Sequence, residues 1–145
     1  MRFDIQNQLS AAQAFTGGAT VSTNSYQKQT AAQDLSIGRR MSILVLITTA
    51  AGAGSTHTWD VIQADDAALT TNVKVLGTVT NLAAALILGA AFEIPIPIKS
   101  MTQKFIGCRN TSTGGTTTVS ADAYLVPSDE IPAFRSFPKV VDALV

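Results

Sequence analysis

The sequence predicts an all-β domain, a jelly roll or β-sandwich with short helical segments and extended termini. Three observations predict it. Apolar residues alternate with polar ones over several short runs, Gly/Asn/Asp/Ser turn signals recur about every 8–12 residues, and no long helical period appears. Six to eight short strands and at most two short helices are expected. The 145 residues suit one domain, since domains run about 100–200 residues. Three parts are expected: an N-terminal leader (1–20), the sandwich (21–126) and a Pro/Phe-rich C-terminal arm (127–145).

The elements follow in order. In the leader, Ile5, Leu9, Ala12 and Phe15 mark one face of a short helical turn, which Gly17-Gly18 would end. Ser22 to Tyr26 reads as a short strand. Met41 to Thr48 is a run rich in β-branched residues, bounded by glycine and too short for most helices, as expected of a buried strand. The small-residue loop Ala50 to Ser55 then leads to Thr56–Gln63. There His57, Trp59, Val61 and Gln63 share one face, and Thr58, Asp60 and Ile62 the other. These two strands read as a hairpin.

Asp65-Asp66 turns the chain. Val73, Val75 and Val79 mark another strand, with a bulge expected at Gly77. Asn81 to Gly89 reads as one or two helical turns, capped by Asn81 and stopped by Gly89. Phe92, Ile94, Ile96 and Ile98 alternate with Glu93, Pro95 and Pro97. Proline donates no ladder hydrogen bond, so this is an edge strand or extended arm. Lys104–Asn110 and Thr116–Val126 read as a final strand pair, joined by Thr111 to Gly115. In the second of them Val119, Ala121, Ala123 and Leu125 face one way.

Composition narrows the function. Lys plus Arg is 10 and Asp plus Glu is 10, so the formal net charge is zero. Binding that neutralises many phosphates calls for a basic chain, so nucleic acid is a poor fit. Charged residues are only 14%, and Thr plus Ser make up about a fifth, well above ordinary usage. A neutral, charge-poor surface loses little on desolvation and lacks the repulsion that keeps molecules apart. Composition therefore leans toward a protein that lives against other proteins, beside the plainer reading of a β domain with a threonine-rich surface. No secretory signal is expected at Met1-Arg2-Phe3-Asp4. Met41–Trp59 is too polar, and Leu82–Phe92 too short, for a membrane span.

Site chemistry is sparse. His57 is the only histidine and Cys108 the only cysteine, so no intrachain disulfide can form. A Cys108–His57 pair oriented by Asp60 or Asp122 would make a small hydrolase; otherwise His57 is a polar strand residue and Cys108 a small buried one. A Ser/His/Asp set lacks its G-x-S-x-G elbow. Gly52 to Thr56 lacks the spacing and lysine of a phosphate loop. Asp65-Asp66 lacks the flanking ligands of a calcium loop, and zinc lacks four ligands. No cofactor or metal is expected. Asn110-Thr111-Ser112 matches a glycosylation sequon, read as chance. Arg39-Arg40 reads as a rim contact to an acidic partner or a solvated strand end. A carbohydrate- or receptor-binding jelly roll is the alternative function, with Trp59 and Tyr124 as the sugar-stacking candidates.

The apolar termini point to contacts with neighbours. Ile131, Phe134, Phe137 and Val140 in the C-terminal arm, with Phe3, Ile5 and Leu9 in the leader, are the expected interface residues.

Short segments spread over residues 1–126 carry a resemblance. They are Met1-Arg2-Phe3-Asp4-Ile5, Val21-Ser22-Thr23-Asn24, Leu35-Ser36-Ile37-Gly38-Arg39, the run Trp59-Asp60-Val61-Ile62-Gln63-Ala64-Asp65-Asp66-Ala67-Ala68-Leu69, and a late Gly/Thr-rich hairpin. In these the chain resembles the small cement, or decoration, proteins of short-tailed phage capsids, of the type known from a Bordetella phage. The resemblance implies a non-catalytic jelly-roll subunit on the outer surface of the virion. It would be a homotrimer, seated at junctions between major capsid proteins and clamping the shell. The Phe/Pro-rich tail falls outside the resemblance.

Overall fold

A computed structural model describes residues 7–115 and 117–131. Nine strands occur there: β1 (Gln8–Thr16), β2 (Gly18–Val21), β3 (Tyr26–Gln27), β4 (Met41–Thr49), β5 (Thr56–Ala64), β6 (Lys74–Leu82), β7 (Ala91–Pro95), β8 (Phe105–Thr113) and β9 (Thr118–Pro127). Two one-turn 3-10 segments, Ala83–Ala85 and Ser128–Glu130, complete the described elements.

The strands form two antiparallel sheets. The first has the order β1-β9-β4-β7. The second has β2-β8-β5-β6, with β3 also on β8. β2 pairs with Arg109–Ser112 and β3 with Phe105–Ile106, so they are two halves of one interrupted edge strand. Counted that way, each sheet has four strands, and the chain crosses between them repeatedly. The all-β sandwich expected from sequence is thus present, in a wrapped order consistent with a jelly roll.

Period-2 alternation explains the core. Ile43, Val45 and Ile47 of β4 and Val119, Ala121, Ala123 and Leu125 of β9 face inward. Trp59, Val61, Ile106 and Cys108 of the second sheet meet them. Trp59 sits at the centre, with Phe15 edge-on at 5.1 Å and Phe92 at 5.7 Å between ring centroids. Each such fully buried side chain contributes about 1.5–3 kcal/mol of hydrophobic stabilisation.

Both flanks of the sandwich are closed. On one, β6 and β7 approach until a Cβ on Gly77 would lie 2.4 Å from the Pro95 carbonyl oxygen, so only glycine fits. The expected irregularity is there too, as a register shift between Val61 and Ile62 opposite Gly77. On the other flank, Gln13 of β1 donates from Nε2 to the Val21 carbonyl at 2.8 Å and accepts from the Thr23 amide at 2.8 Å.

Four expectations are corrected. The leader is not a helix or a free arm from residue 8 onward, because β1 and β2 are built into the sheets. Residues 50–55 and 114–117 do not close hairpins. β4 pairs with β7 and β9, whereas β5 pairs with β6 and β8, so these short loops carry the chain from one sheet to the other. Asn81 continues β6 instead of capping a helix, and the helical content of 81–89 is the single turn Ala83–Ala85. The strand expected over Ser22–Tyr26 is displaced to either side, as β2 and β3. By contrast, β7 does lie at a sheet edge, as Pro95 requires, and it ends at that residue.

Candidate functional site

The chemistry-bearing residues gather at one end of the sandwich interior. Register places Asn81, His57 and Ser112 in a straight row across β6, β5 and β8, with Asn110 beside Trp59 in the next row. The Ser55 hydroxyl lies 2.9 Å from His57 Nε2, and His57 Nδ1 lies 3.2 Å from Asn110 Oδ1. Sequence reading missed this Ser–His–Asn line. Its available signal was the i, i+2 spacing of Ser55 and His57, which puts both on one strand face.

The line has the order of a nucleophile, a base and an orienting group. Its setting assigns it another job. The Ser55 hydroxyl donates its proton to the Gly52 carbonyl at 2.6 Å, so that proton is already engaged by the backbone. Ser55, His57 and Asn110 are all buried, at 2%, 0% and 1% exposure, and no substrate can reach them in this state. The trio pins the crossing loop 50–55 to the inner face of the second sheet. Around it Asn81 Oδ1, Asn110 Nδ2, Ser112 Oγ and Trp59 Nε1 are buried without a hydrogen-bond partner among the described residues.

Cys108 is not brought to His57. On β8 it stands opposite Val61, four residues along β5 from His57, which is roughly 13 Å at strand rise. Complete burial, helped by the charge of Asp60, pushes its thiol up to about 12. Asp60 lies on the opposite face, where its carboxylate accepts from Arg109 at 2.7 Å and from the Thr78 hydroxyl at 2.8 Å. Asp122 accepts from the Ala12 amide.

The other sequence candidates are accounted for locally. Asp66 accepts from the Thr70 and Thr71 amides and the Thr70 hydroxyl. The side-chain bond from Thr70 and the backbone bond from Thr71 draw its carboxyl down to about 2. Asp65 accepts from Asn72 and Gln103. Both carboxylates therefore organise the 65–72 loop. No group of three or more His, Cys, Asp or Glu suited to a metal occurs among the described residues. Arg39 makes a forked contact with Asp129 and reaches Glu130 at 2.8 Å, so its acidic partner lies in the same chain. The Asn110 of the sequon is buried. No helix among the described residues is long and apolar enough to cross a membrane.

The expected interface residues separate into three groups. Leu9 is corrected: it is fully buried in the chain's own core. Ile131 is likewise buried, packed on Leu44 and Val126 over the outer face of the first sheet. Phe3, Ile5, Phe134, Phe137 and Val140 lie outside the described residues. Of the two sugar-stacking candidates, Trp59 is sealed in the core. Tyr124 is half-buried on the outer face of the first sheet, where its hydroxyl accepts from Gln8 at 3.2 Å.

One buried cation has no counterpart among the sequence candidates. Lys28 is 1% exposed and donates from Nζ to the carbonyls of Ala31, Gln33 and Met101. It ties the 28–40 loop to the segment before β8. Desolvation lowers its pKa, opposed by the charge of Asp34.

No protein-family model matches this chain, and no curated protein matches it.

Proposed function

We propose that this chain is a structural virion protein. In this reading it is a cement or decoration protein, binding the outer surface of a phage icosahedral shell at junctions between major capsid proteins and working as a homotrimer. The observation that carries the reading is a closed β-sandwich whose His57 and Cys108 are turned inward, in a chain with only 14% charged residues and with threonines exposed along β6 and β8. Such a surface is suited to resting against protein, because little desolvation energy is lost when it is covered.

The clamp works by linkage. A subunit that touches several shell proteins binds the assembled shell and not its separated parts, which stabilises assembly by mass action. Several modest contacts on one trimer add through effective concentration. The segment-level resemblance over residues 1–126 supports the same reading.

The test is direct. Shells of the major capsid protein are assembled with and without this chain, imaged by cryo-electron microscopy and heated. Threefold density at the junctions and a higher disruption temperature are expected. Shells that neither bind the chain nor gain stability refute the proposal.

A further inference from the structure

Polar side chains are concentrated at one end of the sandwich interior. Two adjacent rows of inward positions cross β6, β5 and β8 there: Asn81, His57 and Ser112, then Val79, Trp59 and Asn110. Of the six side-chain nitrogen and oxygen atoms buried without a hydrogen-bond partner among the described residues, four belong to these two rows: Asn81 Oδ1, Ser112 Oγ, Trp59 Nε1 and Asn110 Nδ2. Trp59, Asn110 and Ser112 are 0%, 1% and 5% exposed, so bulk solvent does not serve them. A buried polar atom without a partner is costly, and native folds rarely carry one unexplained.

Rearranging the local bonds does not remove the need. Turning the Asn110 amide over would bring Nδ2 to His57 Nδ1 and leave Oδ1 unpaired in its place. The Ser55 hydroxyl is already engaged by the Gly52 carbonyl and by His57 Nε2.

We propose that this end of the interior is a hydration site, where a small group of internal water molecules is bound by Asn81, Asn110, Ser112 and the Trp59 indole. The donor set selects the occupant. Trp59 Nε1 and Asn110 Nδ2 only donate, Asn81 Oδ1 only accepts, and the Ser112 hydroxyl does both. Water donates twice and accepts twice, so it complements all four. An anion would serve the donors but not Asn81 Oδ1, and a cation would do the reverse. Neither row holds a carboxylate, ammonium or guanidinium to compensate an ion's charge.

The site is also enclosed, which suits water and excludes larger solutes. Both crossing loops leave the second sheet beside it, 50–55 just before His57 and 114–117 just after Ser112. They meet backbone to backbone, with no room for a Cβ on Gly115 beside the Ala53 carbonyl. Ala51 donates to the Leu86 carbonyl and Gly52 to the Thr118 carbonyl, each at 2.9 Å, which fastens loop 50–55 over this end. Enclosed water with about three polar partners is an ordinary structural part of globular proteins. The site stands independently of the shell-binding reading.

The experiment is water–protein nuclear Overhauser spectroscopy on the isotope-labelled full chain. Trp59 is the only tryptophan, so its indole N–H gives a single reporter resonance. Cross-peaks from water to this proton and to the Asn110 side-chain amide are expected, with the sign of long-lived bound water. Ser112→Ala is expected to keep the Trp59 cross-peak, which excludes relay through that hydroxyl, and to lower the urea midpoint, because a satisfied group has been removed. Absence of both cross-peaks in the unsubstituted chain overturns the proposal without recourse to any variant. A raised midpoint in Ser112→Ala overturns it too, since removing an unsatisfied hydroxyl relieves a cost. A Trp59 indole shift that titrates with chloride would identify an anion in place of water and likewise overturn it.

Discussion

Leu69 and Gly107 fit only as a pair: a Cβ added to Gly107 would lie 2.2 Å from Leu69 Cδ1. Gly107 lies on β8, and Leu69 reaches it from a loop that holds Leu69 at φ +59°. Gly107→Ala is therefore expected to lift Leu69 off Ile62 and Ala64. The expected destabilisation is about 1–3 kcal/mol, as for other overpacked sites. Leu69→Ala is expected to cost about 2–5 kcal/mol by leaving a cavity. The double substitution should cost clearly less than the sum, because the alanine methyl then occupies the vacated space. Urea unfolding of the three variants measures the coupling, and strict additivity would show that the two residues do not compete.

Acid is expected to loosen the 65–72 loop first. Asp66 titrates near 2 in the folded chain against an ordinary value of 3.8. Between these values the unfolded chain binds more protons, so stability falls as pH falls. The contribution is complete above about pH 4 and is lost through pH 2. Asp66→Asn should flatten the stability profile in that window while changing it little at pH 7 beyond a constant offset. Thermal melts from pH 5 to pH 2 check this, and an unaltered slope in the variant would refute it.

Lys28 is expected to be among the costliest polar positions to replace. Lys28→Met keeps the length and loses the donors to three carbonyls. A buried acceptor left unsatisfied costs about 1–3 kcal/mol, so a loss of at least that size is expected by urea unfolding. The pH sign is distinctive. The folded pKa is lowered, so the unfolded chain holds this proton more tightly, and the group's contribution to stability grows as pH rises toward the ordinary lysine range. Lys28→Met should remove that alkaline gain.

Cys108 is expected to resist alkylation in the native state. Its thiol is fully buried and lifted to about 12, so the thiolate fraction at pH 8 is negligible. Iodoacetamide labelling should follow global unfolding, with the same denaturant midpoint as tryptophan emission from buried Trp59. Fast labelling of the folded protein, lost on His57→Ala, would instead indicate a paired nucleophile.

The strands with clean alternation were legible in the sequence. β4 showed its β-branched run and β9 its Val119/Ala121/Ala123/Leu125 face, while Pro95 and Pro97 together placed β7 at an edge. Sheet membership was not legible, because a short Gly-rich loop such as 50–55 serves a hairpin or a sheet crossing equally well. β1 imitated a helical spacing for a physical reason. Its pairing with β9 slips twice, between Gln8 and Ser10 and between Ser10 and Gln13, and Ala12 takes a positive φ of 43°. These irregularities break the period of two between the inward residues Leu9 and Phe15. The buried Ser55–His57–Asn110 line was half legible: His57 stood out as a lone histidine, but Asn110 is brought to it only by the pairing of β5 with β8.

The stitched flanks carry a consequence for how this molecule can aggregate or assemble. Runaway fibres grow where a sheet presents an unsatisfied margin that templates the next chain. Here Gly77 against Pro95 shuts one margin and the Gln13 amide bridges the other, so the fold behaves as a flattened barrel. A second copy would therefore find no free sheet margin to extend at these two points and could meet this one only broadside, through side chains.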